Sequence, residues 1–254
     1  ENYYELQFFK KSRTECRQYL TSSLRHELTR QVNDPCEALV LKDKVRFAEV
    51  FEDILGRRVM TFDEIKRQMH DPYSISINEV VIKPIKGQAG QGIIFPMQNF
   101  TSLRQLHDYV ISTVKKPDEY LYEERIIQHS ALNKLNPSSL NTLRIVTYYD
   151  ESINKVDVWS VVLRIGIKAC TDNFATGGIA ALVDHRGVVC QPAIIKHPSG
   201  ERFHIHPVSG EKITGCIIPY YDQAIALAKQ AAMRIPKVRS IGWDVAITET
   251  GPYM

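Results

Sequence analysis

The 254-residue chain has no apolar run approaching the ~20 residues needed to cross a bilayer, so no transmembrane segment is expected. Its start, Glu1-Asn2-Tyr3-Tyr4-Glu5, is polar and unlike a signal peptide. Cysteine is sparse: Cys16, Cys36, Cys170, Cys190 and Cys216 are odd in number, far apart and include no C-x-x-C pair. That excludes a disulfide framework and suits reduced thiols, giving an expected cytoplasmic location. An excess of charge is also missing. Lys and Arg total 32 against 29 Asp and Glu, and a net charge of +3 is too mild for a nucleic-acid binder, so the anion that matters is small and local. No G-x-x-x-x-G-K-[ST] run leads from strand to helix and no G-x-G-x-x-G opens a helix, which removes two common nucleotide motifs. Repeats and low-complexity segments are absent too. With 44% apolar and 24% charged residues the composition is that of an ordinary globular protein, long enough for one large or two modest domains.

What is present is organised around Val80-Val81-Ile82-Lys83-Pro84-Ile85-Lys86-Gly87-Gln88-Ala89-Gly90-Gln91-Gly92-Ile93-Ile94. An apolar strand carries Lys83, a Gly-rich turn follows, and a second strand begins at Ile93 and stops by Pro96. Glycine lets successive N–H groups at Gly87, Gly90 and Gly92 point into one concavity, which makes a phosphate cradle, and Lys83 would bring a positive charge to the same anion. The β-formers after the G-x-x-G-x-G spacing make this the tip of a hairpin rather than the start of a helix. The bland alternative is a surface hairpin whose glycines only make the turn.

Along the rest of the chain, Cys16, Leu20, Leu24, Leu28 and Val32 recur every four residues and predict a basic amphipathic helix over Leu6–Val32, stopped by Asn33-Asp34-Pro35. Such a helix is expected to pack with one face solvated rather than lie on a membrane. Asp43–Leu55 reads as a second helix with Val45, Phe47, Val50, Phe51 and Ile54 buried, Lys44 in its first turn and Gly56 as its stop. Thr61-Phe62-Asp63-Glu64 has the look of a capping box, and Leu103, Leu106, Tyr109 and Val110 mark a further helix. Leu121 to His129 reads as a strand in which Glu123 and Glu124 point to opposite faces, or as an edge strand with both carboxylates solvated. Arg144 within the strand around Leu143–Tyr149, and Arg164 near the end of its hairpin partner Val156–Ile165, are costly to bury unless an anion or carboxylate pairs them. A second Gly-rich turn runs from Asn173 to Gly178, His204 and His206 alternate on a strand, Pro219–Met233 is helical, and Ile241–Thr248 is a last strand bearing Asp244.

Taken together these stretches resemble the ATP-grasp superfamily, most closely its sugar-transfer-associated branch. The likeness runs in the family's order through Asp43-Lys44, Val81-Ile82-Lys83-Pro84 with its Gly-rich loop, Glu123 to His129, Asn141 to Thr147, Asn173 to Gly178 and Ile241-Gly242-Trp243-Asp244, and it covers roughly Leu41 to the end. It implies an α+β fold of two lobes gripping ATP: an N-terminal helical segment (1–40), a small lobe with the Gly-rich lid (41–127) and a C-terminal catalytic lobe (128–254). It further implies that Lys44, Lys83 and the lid Gly87, Gln88, Ala89, Gly90 and Gly92 hold the phosphates. Glu123, most plainly, and Glu124 with Ile126 would read adenine, Arg144, Arg164 and Asn173 would face the γ-phosphate, and Asp244 would bind Mg²⁺. The family's usual Glu-x-Asn pair after the last strand is expected just past Gly251-Pro252-Tyr253-Met254, and Glu249 is a nearby candidate substitute. The implied activity is an ATP- and Mg²⁺-dependent carboxylate–amine ligase working through an acyl phosphate, with small-molecule or sugar-linked partners in polysaccharide or glycoconjugate formation. A kinase using His129, His204 or His206 as base, and a non-catalytic ATP-binding module, are the alternatives.

Overall fold

The computed structural model describes residues 10–17, 22–70, 79–86, 92–97, 99–167, 171–196 and 201–254. Helices α1 (Arg13–Arg17) and α2 (Ser22–Val32) fall inside the helix expected over Leu6–Val32; residues 10–12 are not α-helical, and residues 6–9 and 18–21 lie outside the described residues. Its expected packing face is only half covered, since Leu24 and Leu28 keep 45% and 41% of their surface. The chain forms two compact units: Leu39–Ile127, and Gln128–Met254 together with the start of the chain through Ala38. The N-terminal segment, expected as a piece of its own, therefore groups with the second unit, and its fastening is visible. Asn33 donates through its amide to the Ser240 carbonyl at 2.9 Å, accepts from Ser240 N at 2.8 Å, and Asp34 N donates to the Lys237 carbonyl.

In the Leu39–Ile127 unit, α3 (Lys44–Phe51) starts where Asp43 caps it, accepting from Val45 N and Arg46 N at 3.0 and 3.2 Å. It ends four residues earlier than the periodicity suggests, because Glu52–Ile54 tightens into a 3₁₀ turn, and of the expected stripe only Phe51 is fully buried. Strand β1 (Val59–Thr61) leads into α4 (Phe62–Gln68), and the Thr61–Glu64 capping box is present. Strand β2 (Val80–Pro84), α5 (Leu103–Thr113) and β3 (Tyr120–Glu124) complete it. The sheet is antiparallel in the order β1-β3-β2, so β3 is the central strand and not an edge. Met60, Ile82 and Tyr122 from the strands meet Phe62, Ile65, Leu106 and Val110 from the helices in one core.

In the second unit a short helix α6 (Ser130–Asn133) precedes the long hairpin β4 (Thr142–Asp150) and β5 (Lys155–Ile165). Strands β6 (Ile179–Leu182), β7 (Ala193–Ile195) and β8 (Arg202–Phe203) extend one side. After α7 (Tyr221–Arg234) the strands β9 (Ser240–Thr248) and β10 (Gly251–Tyr253) extend the other, in the order β10-β9-β4-β5-β6-β7-β8. Alternation puts Leu143, Ile145 and Thr147 of β4 and Val245 and Ile247 of β9 on the covered face, where α7 presents Ala224, Ala228 and Ala231. Alanines there let the helix approach the sheet closely. The opposite face carries Arg144, Arg164 and Asp244.

The segment before β4 is held by a buried polar network. The Gln128 amide donates to the carbonyls of Asn136 and Ser139 at 2.9 and 2.8 Å and accepts from Asn141 N and Nδ2 at 3.0 Å. Asn136 Nδ2 reaches the Gly166 carbonyl at 2.8 Å, and Asn141 Oδ1 accepts from Gly166 N at 3.2 Å. A Cβ on Gly166 would stand 2.4 Å from Ser139 Oγ, so the end of β5 comes this close only as glycine. No buried side-chain polar atom among the described residues is left without a partner.

Candidate functional site

The Leu39–Ile127 unit assembles its charges by sheet register. Glu123 lies opposite Val81 of β2 and Val59 of β1, so Lys83 and Arg57, each two residues from those partners, reach it diagonally from both sides. Lys83 Nζ is 2.6 Å and Arg57 Nε 3.0 Å from Glu123 Oε2. Burial alone would raise the Glu123 carboxyl, but Arg57 and Lys83 outweigh it and hold it down at about 2. Lys44, at the first position of α3, turns its ammonium to the Pro84 carbonyl. Burial lowers the pKa of Lys44, with Glu123 opposing and Lys83 reinforcing the trend. Lys44, Arg57, Lys83 and Glu123 line a cavity of about 190 Å³ whose remaining wall is apolar, from Phe47, Ala48, Leu55 and Val59. Three cations face one carboxylate there. Cations gathered in a partly dry recess are the setting in which an anion is held most strongly.

Arg57 was not foreseen, although its place directly after the Gly56 stop was legible; only the strand register shows that it shares Glu123 with Lys83. Glu124 is exposed, with its backbone N–H donating to the Arg58 carbonyl, and Ile126 is half-buried. Gly87, Gln88, Ala89 and Gly90 lie outside the described residues. Gly92, at their far side, has φ +71°, and Ile82 and Ile94 exchange backbone hydrogen bonds at 3.0 and 2.8 Å, so the chain does return antiparallel to β2.

In the second unit Arg144 and Asp244 are directly opposite on β4 and β9. Arg144 Nε stands 2.7 Å from Asp244 Oδ1, and Arg164 Nη2 3.3 Å from Asp244 Oδ2. Arg164 also forks onto Asp172 at 3.1 and 3.3 Å. Asp172 takes the backbone N–H of Thr142 at 2.9 Å, one residue before β4 begins pairing with β5 at Leu143, and the Thr142 hydroxyl as well. Burial raises the Asp172 carboxyl against the pull of Arg164 and Thr142, and Asp244 adds to the rise. The two arginines are thus met by carboxylates, one of the two partners expected for them. Asn173 accepts from Ala175 N at 2.9 Å and shapes the turn to Gly177, whose φ is +101°. Asp172 was the residue missed here.

For a metal, the donor chemistry is narrow. Among the described residues no three His, Cys, Asp or Glu side chains gather in one place. Glu249 is engaged elsewhere, accepting from Ser130 N at 2.8 Å with His129 Nε2 3.2 Å away. Asp244 is 44% exposed with guanidinium groups at both oxygens, which fits Mg²⁺ only in the mode where the ion arrives with phosphates and keeps a single protein carboxylate.

The model of the sugar-transfer associated ATP-grasp family matches residues 23–254, and the chain belongs to that family. Among solved structures it is similar to an L-amino acid ligase from Bacillus licheniformis, at 11% identity over 85% of this chain and 40% of that one, with a TM-score of 0.45. It is similar also to D-alanyl-alanine synthetase A from Vibrio cholerae (11% identity, 87% and 56% covered, TM-score 0.43). A third is a D-Ala:D-Ser ligase from Enterococcus faecalis (13%, 86% and 52%, TM-score 0.44). The chain spans 40–56% of the length of these three proteins. No curated protein matches it. No helix among the described residues is long and apolar enough to cross a membrane.

Proposed function

We propose that the chain carries the nucleotide-binding and phosphoryl-transfer parts of an ATP-dependent ligase joining a carboxylate to an amine. The observation that carries this reading is the cavity with three cations around one carboxylate, in a chain of the ATP-grasp family. Lys44, Lys83 and Arg57 hold the α- and β-phosphates, while Glu123, in place of the adenine contact expected for it, fixes the direction of the Lys83 and Arg57 side chains. Arg144 and Arg164 meet the γ-phosphate and the charge that develops as the substrate carboxylate attacks it to give an acyl phosphate and ADP. An amine then displaces phosphate and leaves an amide. Asp244 is the residue that would hold Mg²⁺, which when bound would neutralise phosphate charge. Such chemistry needs positioning and charge rather than a nucleophile, in keeping with a site built of lysines, arginines and carboxylates. The family's sugar-transfer association makes a sugar-linked carboxylate or amine the substrate of choice.

Of the three histidines named for the kinase alternative only His204 is exposed, with Nδ1 3.1 Å from the Thr214 hydroxyl oxygen. His206 is buried with Nε2 on the Gly166 carbonyl at 2.9 Å and Nδ1 on Ser209 N at 3.1 Å, and His129 is engaged by Ala131 N and Glu249. A ³¹P spectrum of the protein with ATP, Mg²⁺ and pooled amino acids, uronic acids and amino sugars tests the reading. ADP and free phosphate are expected only when both a carboxylate and an amine are present; a new phosphate-ester resonance would make the protein a kinase, and intact ATP under every pool would overturn turnover altogether.

A further inference from the structure

Strand β5 contains one residue too many for its pairing with β4. Val146 is opposite Ser160 and Thr147 opposite Val158, so Trp159 is skipped. The extra residue changes the alternation. On one side of it Val161, Leu163 and Ile165 are buried, and on the other side it is Val156 that is buried. Unbroken alternation would have sent Trp159 to the covered face with Val161. The bulge leaves it instead on the open face, the face of Arg144, Arg164 and Asp244, and bulges commonly re-aim a side chain beside a site in this way. Trp159 is 58% exposed and stacks on Tyr148, with centroids 4.7 Å apart and planes 13° from parallel. Tyr148 in turn is held by Arg239, whose guanidinium lies 5.0 Å from the ring centroid and donates to the phenol oxygen at 2.6 Å. A large aromatic surface is therefore fixed in place while one side of the indole is left to solvent.

We infer that the Trp159–Tyr148 platform is an acceptor subsite for a pyranose ring of an oligosaccharide, which rests on the ligase reading above and names the class of its substrate. The flat indole suits the C–H face of a sugar ring. The polar rim is nearly neutral, because Lys155 pairs with Asp157 at 2.7 Å and Arg239 lies 3.6 Å from Glu151. That balance favours a neutral polyhydroxylated ring over a phosphorylated one, with the Ser160 hydroxyl nearby to donate or accept and the Asp157 carboxylate to accept. Tyr148 lies four residues along β4 from Arg144, about 13 Å at strand rise. A single monosaccharide does not bridge that distance, whereas a chain of linked sugars does.

The chain has two tryptophans, and they report separately: Trp243 is buried with its indole N–H on Thr147 Oγ1 at 2.9 Å, while Trp159 faces solvent. The experiment follows both indole N–H resonances during titration with chitotetraose, cellotetraose and, separately, adenosine. A saturable shift of Trp159 alone with a tetrasaccharide is expected, with affinity at least tenfold weaker in Trp159→Ala and less affected in Trp159→Phe. The Trp243 resonance reports that the variants are folded. No shift with either tetrasaccharide, a shift with adenosine instead, or a shift that follows protein concentration alone would each overturn the subsite. The two readings part cleanly: a Trp159 shift with no ADP formed in the ³¹P experiment keeps the subsite and sinks the ligase. ADP formation from free amino acids, equal in Trp159→Ala and without any Trp159 shift, does the reverse.

Discussion

The two charged clusters use the same kinds of side chain to opposite ends. Around Glu123 one buried carboxylate is shared by Lys83 and Arg57 with Lys44 close by, and its pKa falls to about 2. Around Arg164 two guanidiniums meet two carboxylates, and the buried one, Asp172, is raised. Burial acts in the same direction on both acids. What differs is the count of cations per carboxylate: with two for one the charge wins over desolvation, and with two for two it does not. The first cluster gathers cations around a carboxylate that stays charged, and the second is a balanced pair of ion pairs.

The comparison breaks hardest at Glu123. Glu123→Gln keeps the shape and removes the charge, leaving Lys83 and Arg57 without their shared carboxylate. Losing one partner of a buried ion pair costs about 3–5 kcal/mol, and chemical denaturation is expected to show a loss of that order. Pyrophosphate should then restore more stability to the variant than it adds to the parent. The pH dependence follows in sign. Because the folded pKa of Glu123 is depressed, its contribution is fully present above the unfolded value of 4.5 and is lost as pH falls to about 2. Stability curves for parent and variant should converge across that window, and parallel curves would mean that the fold does not depress the carboxyl's pKa.

Arg164→Met sharpens the contrast at intermediate cost. Asp172 then keeps Thr142 but loses its guanidinium, and a carboxyl already raised by burial can escape the penalty by taking up a proton. A loss of about 2 kcal/mol is expected at pH 8, shrinking as pH falls, since a raised folded pKa makes stability grow toward acid. A loss that is constant with pH, read by thermal unfolding, would show that Asp172 does not titrate.

Much of this was legible beforehand because strand alternation is rigid. The opposed faces of Glu123 and Glu124, the need of Arg144 and Arg164 for partners, the Thr61–Glu64 box and the order of helices and strands all follow from local spacing. The family's order of motifs then gave the α+β class. Partner choice was not legible. Arg57 and Glu123 are 66 positions apart and become neighbours only through the register of β1 on β3. The network of Gln128, Asn136 and Asn141 was not foreseen either, because nothing in composition says that three amides will bury together and fix Gly166. Trp159 was concealed for a related reason, since one inserted residue reverses parity and parity was the tool. The expected buried stripe of α3 thinned out: Val45, Phe47 and Val50 are half-buried within the helix, Phe47 in the cavity wall, and the 3₁₀ turn after Phe51 takes Ile54 off its period.

The smallest effect on stability belongs to Asp244, and there the comparison turns from folding to ligand binding. Its pairing with Arg144 is half in solvent, at 37% and 44% exposure, where an ion pair contributes at most about 1 kcal/mol. Asp244→Asn is therefore expected to shift the thermal midpoint by only a degree or two. Nucleotide affinity should respond differently. If Asp244 is the one carboxylate that meets Mg²⁺ carried in by ATP, the variant binds ATP with no dependence on Mg²⁺, while ADP-free pyrophosphate still stabilises the Lys44, Arg57 and Lys83 recess as in the parent. Calorimetric titration of ATP with and without Mg²⁺ decides it. A Mg²⁺ dependence that survives the substitution would move the metal to other ligands and leave Asp244 as the residue that aims Arg144 and Arg164.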